Sequence, residues 1–425
     1  MYRSTLPPMS IRRRLTLTLF SGAALGTTGY IAAATVAGLA VEEITGQATF
    51  AGLPGAVAIA GTALGTSLIT LRVAERGRRP GLVAGYASGA LGAGMAVGAV
   101  VSASLWLLLV GMAILGLGNA SNQLARYTGA ELFPADRRAS ALSLIVWAGT
   151  IGSVLGPVLL EPGGALSTAQ GFSELAGGYV VALGFMLMAA VLYWLALRPD
   201  PATLAFDGPV TIGKPAFGDA FSQPHVKVAL AAMVSGQVVM VLIMVATPLH
   251  IRQHGFDLGV VGMVMSAHTL GMFAFSPLTG RLTDRIGRYR TIIIGLAILG
   301  LAAILAAVAP STSTPVLLLA LFLLGLGWNF GFVAGSALLT VGFAPDVRAR
   351  LQGRADSITW LSSALASVVS GIVFETSDYR FLALAGFSLL IVPLVIVTRN
   401  RTALAMAGVR SSSSRSSRSR SKPQG

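Results

Sequence analysis

Cysteine is absent from all 425 residues, which excludes disulfides, thiolate metal sites and thiol redox motifs. Charge is scarce. Only 11% of residues are Asp, Glu, Lys or Arg, where a soluble domain carries roughly 25%. The phosphate-cradling pattern GxxxxGK[ST] does not occur, which argues against ATP as a driving force. No grouping of side chains suggests catalysis, so neither an enzyme activity nor a cofactor is expected.

What the chain has in abundance is apolar sequence. Hydrophobic residues make up 54% of it, in runs near 20 residues that recur along the whole length, as bilayer-spanning helices require. Arg12, Arg13 and Arg14 precede about 26 mostly apolar residues, too long for the core of a cleaved signal, so this stretch reads as a first helix. Abundant glycine and alanine suit close helix packing in lipid. The runs predict an all-α membrane protein with twelve transmembrane helices, at about 15–40, 50–71, 81–101, 104–129, 139–160 and 175–197, then 227–249, 256–279, 290–309, 314–339, 355–375 and 379–398. With the N-terminus in the cytoplasm, basic residues fall in the inside segments and only Arg252 and Arg380 fall outside. Both termini are therefore expected to be cytoplasmic. The net charge of +14 reads as this topological bias, and no nucleic acid is expected as a partner.

The organisation is duplicated. GLGNAS at Gly116 recurs as GLGWNF at Gly325, GRRP at Gly77 as GRYR at Gly287, and PADRR at Pro134 as PDVRAR at Pro345, with shifts of 209, 210 and 211. A nearly constant offset implies two pseudo-symmetric six-helix halves. The expected parts are a cytoplasmic N-terminus (1–14), a first half (15–197), a proline-containing linker (198–226), a second half (227–398) and a basic tail (399–425). The tail, RSSSSRSSRSRSKPQG from Arg410, is low-complexity and cannot form a core. A solvated tail, attraction to anionic lipid and the RNA-binding habit of Arg-Ser tracts are its three readings. The membrane setting favours the first two.

The loop after the eighth helix carries Gly280, Leu282, Asp284, Arg285, Gly287 and Arg288 in the order GRLTDRIGR. With six plus six helices and termini inside, it resembles the major facilitator superfamily, whose loop signature is G-x-L-x-D-R-x-G-R-[RK]. The first-half copy is degraded. Gly77, Arg78 and Arg79 stand, but Ala74 replaces the aspartate and Thr70 the first glycine. The resemblance spans roughly residues 12–400 and implies the facilitator fold in the plasma (inner) membrane of a bacterium. It also implies a gating role for the loop, with Asp284 facing the start of helix 5 near Ala139 when the cytoplasmic side is closed. The bare alternative is that the arginines fix topology. Gly152-x3-Gly156-Pro157 partly resembles an antiporter motif, but small-residue packing explains it as well.

No Asp, Glu or Lys lies mid-helix in this reading; Glu131 and Asp356 fall near cytoplasmic helix ends. That weakens carboxylate-based proton coupling. Asn119, Asn122 and Arg126 share a face of helix 4, and Asn329 repeats the asparagine in helix 10. These are cavity candidates, although Arg126 could equally snorkel and the amides could bond between helices. Met240-x3-Met244 and His268-x3-Met272 put each pair on one helical face. Met240 would lie about 15 Å and His268 about 18 Å from the outer helix ends. Thioether and imidazole suit Cu(I), and the pairs resemble those of the bacterial copper importers of the superfamily, a branch that also holds relatives of riboflavin carriers. Methionine is also an ordinary gap-filler between helices. The expected function is thus secondary active transport of a small organic or drug-like solute. A copper importer and a non-transporting receptor or assembly factor are the alternatives. A monomer in contact with the bilayer and a small-molecule or ion substrate is expected.

Overall fold

The computed structural model describes residues 8–133, 138–204, 221–309, 313–339 and 345–400. Within them the chain is helical throughout, with no strand. The first half contains α1 (Met9–Thr45), α2 (Leu53–Arg76), α3 (Arg78–Val101), α4 (Leu105–Glu131), α5 (Arg138–Val158), α6 (Leu160–Thr168) and α7 (Glu174–Ala196). The second contains α8 (Pro224–Gln253), α9 (Leu258–Phe273), α10 (Ser276–Ile286), α11 (Arg288–Val308), α12 (Thr314–Leu339), α13 (Pro345–Thr376), α14 (Tyr379–Leu389) and α15 (Ile391–Arg399). Eleven helical stretches among the described residues are long and apolar enough to span a membrane, and α5 with α6 fills the place of the remaining expected span. The centre of the linker and the basic tail lie outside the described residues.

Two expected helices, 256–279 and 379–398, are broken in two, and the fifth, expected to end at 160, is followed after a break by α6; proline explains each break. α5 ends at Val158, α9 at Phe273 and α14 at Leu389. Each end lies four residues before a proline: Pro162, Pro277 and Pro393. A proline has no N–H to give the carbonyl four residues back, and its ring clashes there. Helix 11 departs from expectation in the other direction. It starts at Pro345, ten residues early, and only Arg354–Thr376 is apolar enough to span. An apolar run marks the part of a helix in lipid and misses a polar overhang. Asp356 therefore sits well inside α13, close to the edge of its apolar part, and not at a helix end.

The duplication is visible in the packing. In the first half α3 packs on α4, α2 on α4, α3 on α7, α1 on α7 and α1 on α5. The second half repeats these pairs as α11 on α12, α9 on α12, α11 on α14, α8 on α14 and α8 on α13. Hydrophobic burial gives little drive between helices in lipid, so close backbone approach carries much of the packing. At the α2–α4 crossing a Cβ on Gly61 would overlap the Ala113 carbonyl, and at the α11–α12 crossing one on Gly295 would come within 3.0 Å of the Gly327 carbonyl. Gly152 and Gly156 likewise seat α5 on the α1 backbone at Ala24 and Thr28. Gly61→Val is expected to lower the thermal unfolding midpoint in detergent, with an overpacking cost of about 1–3 kcal/mol. Gly184→Ala should leave it unchanged, since nothing lies within 4 Å of a Cβ there.

Candidate functional site

The two halves are bonded to one another on the face opposite the linker. Pro157 leaves the Ser153 carbonyl without its helical donor. Thr269 of α9 fills the vacancy, donating from Oγ1 to that carbonyl at 2.9 Å, and Ser266 donates to the Val154 carbonyl at 2.9 Å. The related pair α2 and α13 does the same. Ser367 donates to the Gly52 carbonyl at 2.9 Å, and the Ala48 N–H donates to Glu375 at 2.8 Å. Arg252 of α8 pairs with Glu174 of α7, and Glu42 and Gln253 meet close by. These residues escape sequence reasoning because each is ordinary alone. The available signals were Pro157 inside a helix and Arg252 on the wrong side of the charge rule.

On the linker face the two loops have the same backbone. Gly77 joins α2 to α3 at φ 98°, and Gly287 joins α10 to α11 at φ 92°. Both are one-residue connections in the left-handed region, which glycine occupies without steric cost. Their side chains differ. Arg281, Asp284, Arg285 and Arg288 are exposed, and Asp284 makes no hydrogen bond or ion pair among the described residues. Gly280 lies on α10, which packs on α11 and α12 of its own half. In the first half, Asp200 supplies a carboxylate from the far end of the sequence. It accepts the Arg78 and Arg79 backbone N–H groups at 3.0 Å each. Arg79 in turn holds the Trp194 carbonyl through Nε and Nη2, and Arg14 holds the Arg198 carbonyl. Gly77, Arg78 and Arg79 thus fasten α3 to the end of α7, within one half.

Between these ends each half carries an interior polar group. In the first, Asn122 donates to Asn119 at 2.9 Å, Asn119 reaches Thr62 at 3.4 Å, and Tyr86 donates to Asn122 at 2.7 Å. In the second, Trp328 donates to Gln237 at 2.7 Å and Gln237 to Ser363 at 3.1 Å. Trp328 stacks on Phe332 with ring centres 4.8 Å apart, and Phe273 meets its edge at 6.1 Å. Arg126 of α4 is half-buried and within electrostatic reach of Asp356 on α13, so it is turned toward the other half. Asn329, for which cavity lining and bonding between helices were both open, is buried at the α9–α10 break. It bonds the Met272 carbonyl, next to the Phe273 carbonyl that Pro277 deprives of a donor, together with Ser276 and Thr279.

The Met and His pairs are also placed differently from expectation. His268 is fully buried, and its Nδ1–H donates to the Leu321 carbonyl of α12 at 3.0 Å. Gly325 of α12 packs against the His268 carbonyl and the Met272 side chain, so this face of α9 is turned to α12. Met240, Met244 and Met272 belong to the apolar core or pack on it. No group of three or more His, Cys, Asp or Glu able to hold a metal occurs among the described residues.

A duplicated bundle, bonded across one face and with polar groups at its centre, is the architecture of a membrane carrier. The family model for the Major Facilitator Superfamily matches residues 18–260 and 228–419, and the chain belongs to that superfamily. It is 38% identical to the MFS-type transporter YdeG of Bacillus subtilis, over 94% of this chain and 93% of that one. It is 27% identical to the riboflavin transporter RfnT of Brucella anthropi, over 93% and 98%. Among solved structures it resembles the nucleoside transporter NupG at a TM-score of 0.69 and 17% identity, covering 92% of this chain and 99% of that one, a likeness of fold. The resemblance to copper importers finds no support in these relatives. Removing the Asp200 clamp should cost about 1 kcal/mol as a lost cap. Asp200→Ala is therefore expected to lower the thermal midpoint, whereas Asp284→Ala, at an exposed unpaired position, should not.

Proposed function

We propose that this carrier moves a small organic solute by alternating access across the inner membrane of a bacterium, with both termini cytoplasmic. The described conformation is then the inward-facing one. The observation that carries this reading is the placement of the cross-half bonds at Ser153–Thr269, Gly52–Ser367 and Ala48–Glu375, all on the face away from the linker. The exposed Asp284 loop packs mainly within its own half, on α11 and α12. In the opposite state the far-face bonds open, and Asp284 meets the positive end of α5 near Ala139. Arg126 and Asp356, near the cytoplasmic edges of their spans, draw together on that closure. Trp328 and Phe332 offer a flat aromatic wall, and Asn119, Asn122 and Gln237 offer amides. That combination suits a planar, hydrogen-bonding solute, and riboflavin, named for the Brucella relative, is the first compound to test.

Proteoliposomes holding the purified chain should accumulate labelled riboflavin or another planar heterocycle. A protein that binds such compounds and moves none of them would favour the receptor reading. The natural absence of cysteine allows single cysteines to report the state without background. Arg252→Gln removes a partly exposed ion pair worth up to about 1 kcal/mol. It should raise labelling from the far face by up to about fivefold; unchanged labelling would remove that pair from the gate. Reporter fusions after residues 205 and 425 should both read cytoplasmic, and one after residue 168 external. An external signal at 205 would break the twelve-helix topology.

A further inference from the structure

Away from the pathway, a cavity of about 390 Å³ opens on the far face of the second half, where α8 and α11 end and α14 begins. Its lining comprises His250, Ala306–Ala309, Tyr379 and Arg380. Three features set it apart from a packing gap. Arg380 is exposed and makes no hydrogen bond or ion pair among the described residues. The neighbouring Asp378 does not neutralise it by contact, because its carboxylate accepts the Phe381 N–H at 2.6 Å and caps α14.

The opposite wall is the end of α11. Residue 310 is proline, so the Ala306 carbonyl has no donor four residues on. The helix stops at Val308, which leaves the Ala307 and Val308 carbonyls beyond the last intrahelical donor. That wall carries the negative end of a helix dipole. The third feature is the ring pair between the two walls. His250 and Tyr379 stack with centres 4.3 Å apart, and Tyr379 Oη is committed to Thr247 at 3.0 Å. Val308 and Phe381, 59% and 56% exposed, put apolar surface beside the cavity where acyl chains would lie.

A guanidinium with no partner among the described residues and helix-end carbonyls with no intrahelical donor line one cavity, and together they call for a ligand with an anion and a cationic N–H donor a few bonds apart. We propose that this cavity binds the headgroup of a zwitterionic phospholipid of the far leaflet, its phosphate on Arg380 and its ammonium on the carbonyls of Ala306, Ala307 and Val308. The proposal is independent of the transported solute.

The test uses the full chain in detergent, offered equal amounts of phosphatidylethanolamine, phosphatidylcholine and phosphatidylglycerol, with retained lipid read by native mass spectrometry. Phosphatidylethanolamine should be retained over phosphatidylcholine, which lacks N–H donors, and over phosphatidylglycerol, which lacks the ammonium. Arg380→Gln should lower its retention about tenfold, the scale of a lost charged hydrogen bond. Arg380→Lys, which keeps the charge, should retain part of it and serves if the glutamine variant does not fold. Equal retention of the three lipids, or unchanged retention in a folded Arg380→Gln protein, overturns the proposal. Displacement of the lipid by an equimolar amount of soluble phosphoethanolamine would assign the cavity to a free zwitterion and likewise reject the lipid.

Discussion

Inside a bilayer no water is available to satisfy a backbone carbonyl, and this constraint organises the molecule. Each proline in a spanning helix creates one carbonyl that must find another donor or tolerate a break. At Pro162, Pro277 and Pro393 the helix gives way. Asn329 of α12 holds the Met272 carbonyl beside the break at Pro277. At Pro157 the helix continues, and the vacated Ser153 carbonyl takes its donor from Thr269 of the other half. A local defect in one helix becomes a bond between two bodies. Such a bond is reversible, because the carbonyl it serves can be reached by water once the halves part.

Much of this fold was legible from residues alone. The six-plus-six plan followed from apolar runs, from basic residues gathered on one side and from a nearly constant internal offset. These are bilayer constraints, local enough to read in one dimension. The same glycine geometry at Gly77 and Gly287 shows that the repeat extends to backbone torsion. The breaks were legible too, since each lies four residues before a proline, yet an apolar-run reading merges α9 with the start of α10, and α14 with α15, because lipid does not distinguish the pieces. The polar overhang of α13 escaped for the opposite reason: it belongs to the helix and not to the membrane.

The site was less legible because its meaning lies in contacts between distant residues. Trp328 and Gln237 look like core and surface until α8 and α12 are packed together. In the paired GLGNAS and GLGWNF copies Trp328 stands at the place of Asn119 and Asn329 one residue on; Asn119 bonds Asn122 and Thr62 while Asn329 holds a helix break. Pseudo-symmetry of position does not carry symmetry of role when only one half has a proline at the partner helix. The methionine and histidine pairs mislead for a related reason. Spacing of four places two side chains on one face without saying which neighbour that face meets, and on α9 the neighbour is α12.

Asp200 stands at the root of the linker and grips the first turn of α3, a few residues beyond Ala74, where the first-half loop has lost its own aspartate. The tether between the halves is therefore hinged to two helices instead of one. The root of the linker is thus held by the start of α3 as well as by the end of α7. The 3-10 turn Pro201–Thr203 carries the attachment past Asp200, packed against α3 and α4.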